Sequence, residues 1–94
     1  MKEICSLAVW GADVNQLKAL GSKLQAGSQE IDNQKSMLTK VLAGTQWMGP
    51  DAEKFRNEWN GEHVAALTRV SQALQQAGQQ AVRNASDQES ASSR

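Results

Sequence analysis

The chain has 94 residues, 39% hydrophobic, 4% aromatic and 21% charged, enough for one small domain and unlike either a disordered chain or a membrane protein. Ten basic residues cancel ten acidic ones with no block or stripe of one sign, so no net field draws nucleic acid or an acidic lipid surface. Cys5 has no second cysteine in its own chain and is either an idle reduced thiol or a bridge to another molecule.

Residues 1–9 read as a partly disordered N-terminal segment. The opening MKEICSLAVW is mildly apolar but carries Glu3 and runs straight into polar residues. It lacks the longer apolar centre and the cleavage site of a secretory signal, and no stretch approaches the ~20 apolar residues that cross a bilayer.

A first helix is expected over about 10–43. Trp10, Leu17, Leu24, Ile31 and Leu38 recur every seven residues, flanked by Val14, Leu20, Val41 and Leu42, which is the seam of an amphipathic helix and not the alternation of a strand. Asp13 stands near the helix start, where a carboxylate suits the positive end of the dipole. Gly21, Gly27, Ser28, Gln34 and Lys35 interrupt the flanks of the seam. Each interior glycine costs about 1 kcal/mol relative to alanine; such small residues either admit a second helix closely or are tolerated in an imperfect one.

A turn is expected at 44–49. Gly44, just past the periodic residues, reads as a stop in the left-handed conformation. Gly49-Pro50 then starts a second helix over about 50–85, with proline at its first position and Asp51 and Glu53 favouring the dipole. The apolar stripe of this helix is Phe55, Trp59, His63, Ala66, Leu67, Val70, Leu74, Ala77 and Ala81. The Ser-rich tail, residues 86–94, has no large apolar group and is expected to be disordered.

The predicted fold is thus all-α, a helix–turn–helix hairpin over 10–85. Two helices of roughly 32 residues would each be about 48 Å long and lie antiparallel. Neither can bury its whole stripe on the other, so pairing of two hairpins into an antiparallel four-helix bundle is expected. The residues assigned to the hairpin and dimer interfaces are Leu17, Leu20, Leu24, Ile31, Leu38, Val41, Phe55, Trp59, His63, Leu67, Val70 and Leu74.

No catalytic constellation, phosphate-binding glycine loop or paired inward carboxylates can be read from the chain, and no enzyme or cofactor is expected. His63 is the single histidine. Metal ligands come in clusters and none accompanies it, so it reads as a core or interface residue and not as a ligand. Asp51 and Glu53 belong to the helix start, Glu58 and Glu62 to a solvated edge.

Trp47-Met48-Gly49 at the turn is a W-x-G tripeptide, placed mid-chain between two long amphipathic helices. With WGADVNQLKALGSKL before it and WMGPDAEKFRNEW across it, the chain resembles the WXG family of small helical-hairpin proteins of type VII (Esx-type) secretion in actinobacteria and firmicutes. The resemblance covers about residues 10–85. It implies an antiparallel dimer, with an identical chain, a sister WXG protein or the helical domain of a larger secreted toxin. It also implies engagement with the type VII machinery as substrate or adaptor, and a path from cytoplasm to cell surface or medium without a cleavable signal peptide. By position, Trp47 and Gly49 match the family tripeptide. Glycine suits a tight reversal before proline; Trp47 either caps the bundle end or forms a recognition face. Many exported members or their partners carry Tyr-x-x-x-Asp/Glu after the second helix. This chain has no tyrosine and offers only Arg83 with Asp87 four residues on, so a partner would supply that half of the signal. Two other readings are a membrane-active hairpin, weakened by the neutral charge and Gln/Asn-rich polar faces, and an intracellular coiled-coil scaffold in which W-x-G is a coincidence.

Overall fold

The structure, a computed structural model, describes residues 13–92. Helix α1 spans Val14–Gly44. The chain turns through Thr45–Gly49 and returns as α2, Pro50–Glu58, a π-helical turn, Trp59–His63, and α3, Val64–Ser92. Together α2, the π turn and α3 form one rod lying along α1, and the molecule measures 65 × 22 × 14 Å. Among the described residues every regular element is helical. Trp10, Cys5 and the segment 1–9 lie outside them.

Asp13 caps α1: its Oδ1 accepts the Gln16 amide at 3.1 Å, satisfying one of the unpaired donors at a helix start. The opposite end departs from expectation. Gly44 is the last helical residue and not a left-handed stop; Gly49, with φ +112°, is the sole described residue with positive φ. The chain leaves α1 through extended Thr45 (φ −93°, ψ 133°). Side chains serve the last carbonyls in place of a glycine cap. Thr45 donates to the Val41 carbonyl at 2.6 Å, and Arg56 donates to the Leu42 carbonyl at 3.2 Å.

The π turn follows from a row in the sequence. Phe55, Trp59, His63 and Leu67 are spaced by four residues, and each four-residue step in an α-helix drifts by about 40°. A wider turn absorbs that drift. The Val64 amide bonds the Trp59 carbonyl, five residues back, and the rings of Phe55, Trp59 and His63 gather in one cluster, each pair 6.3–6.4 Å apart.

Where the helices meet, the seam differs from the expected leucine line. It centres on Gly21 and Ser28 of α1 and on Ser71, Gly78, Ala81 and Ala85 of α3, all buried. Gly21 stands against Gly78 and Ser28 against Ser71, a step of seven residues on both helices. A Cβ on Gly21 would lie 2.9 Å from the Gly78 carbonyl oxygen, and one on Gly78 would lie 2.9 Å from that of Gly21. Of the two readings of the small residues, close approach therefore holds at Gly21 and Ser28. One turn along, Ser28 and Ser71 have their oxygens 2.8 Å apart, and Ser71 donates to the Ser28 carbonyl at 3.2 Å. Ser28 is then the donor to Ser71, so the buried pair is satisfied. The expected line Leu17, Leu24, Ile31 runs along the edge of this seam, half-buried.

The tail is a second correction. Expected to be disordered from residue 86, the chain remains helical to Ser92. Ala85 is fully buried, Gln88 half-buried, and Glu89 accepts a hydrogen bond from Lys18 at 3.0 Å. These contacts against α1 carry the helix past the point where composition suggests it should end.

Candidate pairing face and tip

The hairpin has two unlike flanks beside its seam. On one, α1 presents Lys18, Gln25, Asp32 and Thr39 at seven-residue steps, opposite Thr68, Gln75, Val82 and Glu89 of α3. Polar bonds tie the helices together there. Lys18 reaches Glu89, and Lys35 donates to Thr68 Oγ1 at 2.7 Å. Trp59 donates from Nε1 to Thr39 Oγ1 at 2.9 Å, which is how a buried indole keeps its N–H paired.

The other flank is apolar. A Cβ on Gly27 would lie 3.7 Å from Leu74 Cδ1, which places Leu74 beside Gly27 on this side. Leu20 and Val41, seven and fourteen residues from Gly27, share its row, and Val70 stands one helical turn before Leu74. Leu20, Leu38, Val41 and Val70 remain 46–56% exposed. Toward the turn, an apolar groove of ≈ 170 Å³ opens between Leu38, Val41, Leu42, Thr45, Phe55 and Trp59. Among the described residues no large side chain is fully buried. The hairpin closes on glycine, serine and alanine and leaves its large aliphatic groups at the edge or outside.

Of the residues assigned to the interfaces, the structure buries only Trp59; Leu17, Leu24, Ile31, Leu67 and Leu74 are half-buried, and Leu20, Leu38, Val41, Phe55, His63 and Val70 are exposed. His63 is therefore not a core histidine within one hairpin. It completes an aromatic triangle, 6.3 Å from Phe55 and 6.4 Å from Trp59 by ring centroids.

At the tip, Trp47 is 41% exposed and Met48 85% exposed. The Trp47 ring leans on Phe55, centroids 6.0 Å apart at 45°, so it covers part of the hairpin end while keeping an open face. A positive φ at Gly49 with nothing near its missing Cβ shows that glycine is needed there for backbone conformation and not for space. Pro50 opens α2 and Asp51 and Glu53 occupy its first turn, as the sequence suggests.

Sequence reasoning passed over three features. Arg56 donates to the carbonyls of Trp47, Thr45 and Leu42, partners that lie nine to fourteen residues away and have no local signature. The Ser71–Gly78 step matches Gly21–Ser28 in spacing, in reverse order, and only a comparison of the two helices side by side shows it. The Thr39–Trp59 bond likewise joins residues twenty apart.

No described group of three or more His, Cys, Asp or Glu residues could hold a metal, and no described helix is long and apolar enough to cross a membrane. No protein-family model, curated protein or solved structure matches the chain.

Proposed function

We propose that this chain is a non-enzymatic pairing module of the WXG type, a substrate or adaptor of type VII secretion that works by laying its apolar flank against a second helical hairpin. The carrying observation is the division of labour between seam and flank. A seam of Gly21, Ser28, Ser71 and Gly78 holds the helices together, while Leu20, Leu38, Val41 and Val70 face outward along one side. An exposed apolar strip of this kind marks an interaction surface more often than an idle one.

Area supports the same reading. A compact monomer of 10.2 kDa would expose about 5,300 Å², whereas this molecule exposes 6828 Å². The difference, about 1,500 Å² on one chain, follows from its elongated shape and exceeds the ~800 Å² that one partner contributes to a standard interface. Antiparallel pairing of two hairpins is the arrangement that covers two long apolar strips at once. The partner is an identical chain, a sister WXG protein or the helical domain of a larger toxin, and it also supplies the tyrosine-based part of the export signal that this chain lacks. In this reading the protein stays in the cytoplasm until the machinery delivers it to the surface or medium.

The test is export in the native host. The chain is expected in the culture medium of wild-type cells and absent when the type VII ATPase is disabled. Equal secretion with and without that ATPase would remove the type VII assignment.

A further inference from the structure

Among the described residues, one side chain outside the tripeptide hydrogen-bonds the backbone of the W-x-G tip. Arg56, half-buried in α2, places Nη1 2.7 Å from the Trp47 carbonyl. Its Nη2 lies 2.9 Å from the Thr45 carbonyl and 3.2 Å from that of Leu42. Three carbonyls on successive parts of the turn thus converge on one guanidinium. The Leu42 carbonyl belongs to the last turn of α1, where unpaired carbonyls and the negative end of the dipole favour a cation. The other two lie in the irregular segment itself. The Trp47 amide bonds the Thr45 carbonyl at 2.9 Å, which closes a tight loop around the same anchor. An open cavity of ≈ 320 Å³ lined by Thr45, Gln46, Trp47, Met48, Gly49, Glu53 and Arg56 sits over this arrangement.

We infer that Arg56 is the positioning residue of the tip: its guanidinium fixes the backbone of Trp47, and so the direction in which the indole is offered to the export machinery. The inference rests on the proposed role of Trp47 in recognition. Its physical basis is pre-organisation. A five-residue turn ordered only by its own contacts would pay conformational entropy when a partner binds it, and a turn already tethered at three carbonyls does not. Gly49 sets one end of the turn by its backbone conformation and Arg56 sets the rest. A planar fork with five donors can serve three acceptors in fixed directions, whereas the compact ammonium of lysine cannot reproduce that geometry. Charge alone is therefore insufficient, and Arg56→Lys is the discriminating change.

The experiment uses the full chain labelled with 5-fluorotryptophan, its three ¹⁹F resonances assigned by single Trp→Phe variants. Export from the native host is measured in parallel for wild type, Trp47→Ala, Arg56→Lys and Arg56→Gln. The Trp59 resonance reports the fold near the π turn, and the Trp47 resonance reports the tip. The expected result for both Arg56 variants is an unmoved Trp59 signal and a Trp47 signal displaced toward the solvent-exposed position. Export should fall at least tenfold, as in Trp47→Ala. An unmoved Trp47 signal in both variants would overturn the positioning role, as would a displaced signal with wild-type export while Trp47→Ala is defective. Loss of the native Trp59 signal in both would make Arg56 a folding residue and likewise overturn it. Wild-type export of Trp47→Ala is a different failure: it removes recognition through the tip, while the ¹⁹F arm still reads whether Arg56 fixes the ring.

Discussion

The two flanks of the hairpin differ in what they do for the single chain. The polar flank is crossed by hydrogen bonds, Lys18 to Glu89, Lys35 to Thr68 and Trp59 to Thr39, and Val82 is its one large apolar residue, 43% exposed. The apolar flank has Leu20, Leu38, Val41 and Val70 standing about half exposed. Between them runs a seam that, from Gly21 to Ser28, has room for little beyond hydrogen, methyl and hydroxymethyl side chains. The lesson is that intrachain packing and the main hydrophobic pattern are separate in this molecule. Helix pairing within the hairpin uses close backbone approach, where many weak dispersion contacts add up. Several of the large aliphatic groups, which carry most of the transferable apolar area, are left about half exposed by the single hairpin.

Substitutions can break or sharpen this contrast. The largest effect is expected on the apolar flank, and on association instead of folding. Val70→Asp would place an unpaired carboxylate in the proposed interface, weakening it by about 3 kcal/mol or more, over a hundredfold in dissociation constant. Because Val70 is 48% exposed in the single hairpin, the helical signal of the isolated chain should survive. Unchanged sedimentation at all concentrations would show that this flank is not an interface.

Next comes the seam. Gly78→Leu meets the Gly21 carbonyl at 2.9 Å and must push the helices apart, a loss of about 1–3 kcal/mol despite the better helix propensity of leucine. Chemical denaturation measures it, and a stabilised variant would contradict the close approach. Ser71→Ala leaves the Ser28 hydroxyl buried without its partner oxygen, costing about 1–3 kcal/mol, whereas the double change Ser28→Ala with Ser71→Ala should recover most of that. A double-mutant cycle reads the coupling. The smallest effect belongs to the polar flank. Lys18→Ala removes an ion pair whose side chains are 49% and 53% exposed, and stability should change by no more than about 1 kcal/mol with no change in association. A loss there as large as at Gly78 would erase the distinction between flanks.

The helices, the turn and the second helix start were legible in the sequence because each leaves a local mark: steps of three and four, Gly49-Pro50, and Asp51 and Glu53 in the first turn. The seam was not. Reading for core by looking for leucines places the contact on Leu17, Leu24, Ile31 and Leu38, whereas the helices meet one row over, where only a pairwise comparison of Gly21–Ser28 with Ser71–Gly78 would reveal it. The tail misled through composition. NASDQES offers no large apolar residue, yet Ala85 packs with no exposure at all, since close contact favours small side chains. Arg56 left no trace in the sequence because its role depends on carbonyls brought to it by the turn.

The apolar flank is proposed to be covered by a second hairpin. Sedimentation equilibrium of the purified chain, alone and mixed with the product of its neighbouring gene, from micromolar to millimolar concentration, tests this directly. The expected result is a species of two hairpins, either twice the 10.2 kDa of one chain or a one-to-one complex. A folded, helical species that keeps the mass of one chain throughout, with and without the neighbour, would contradict it.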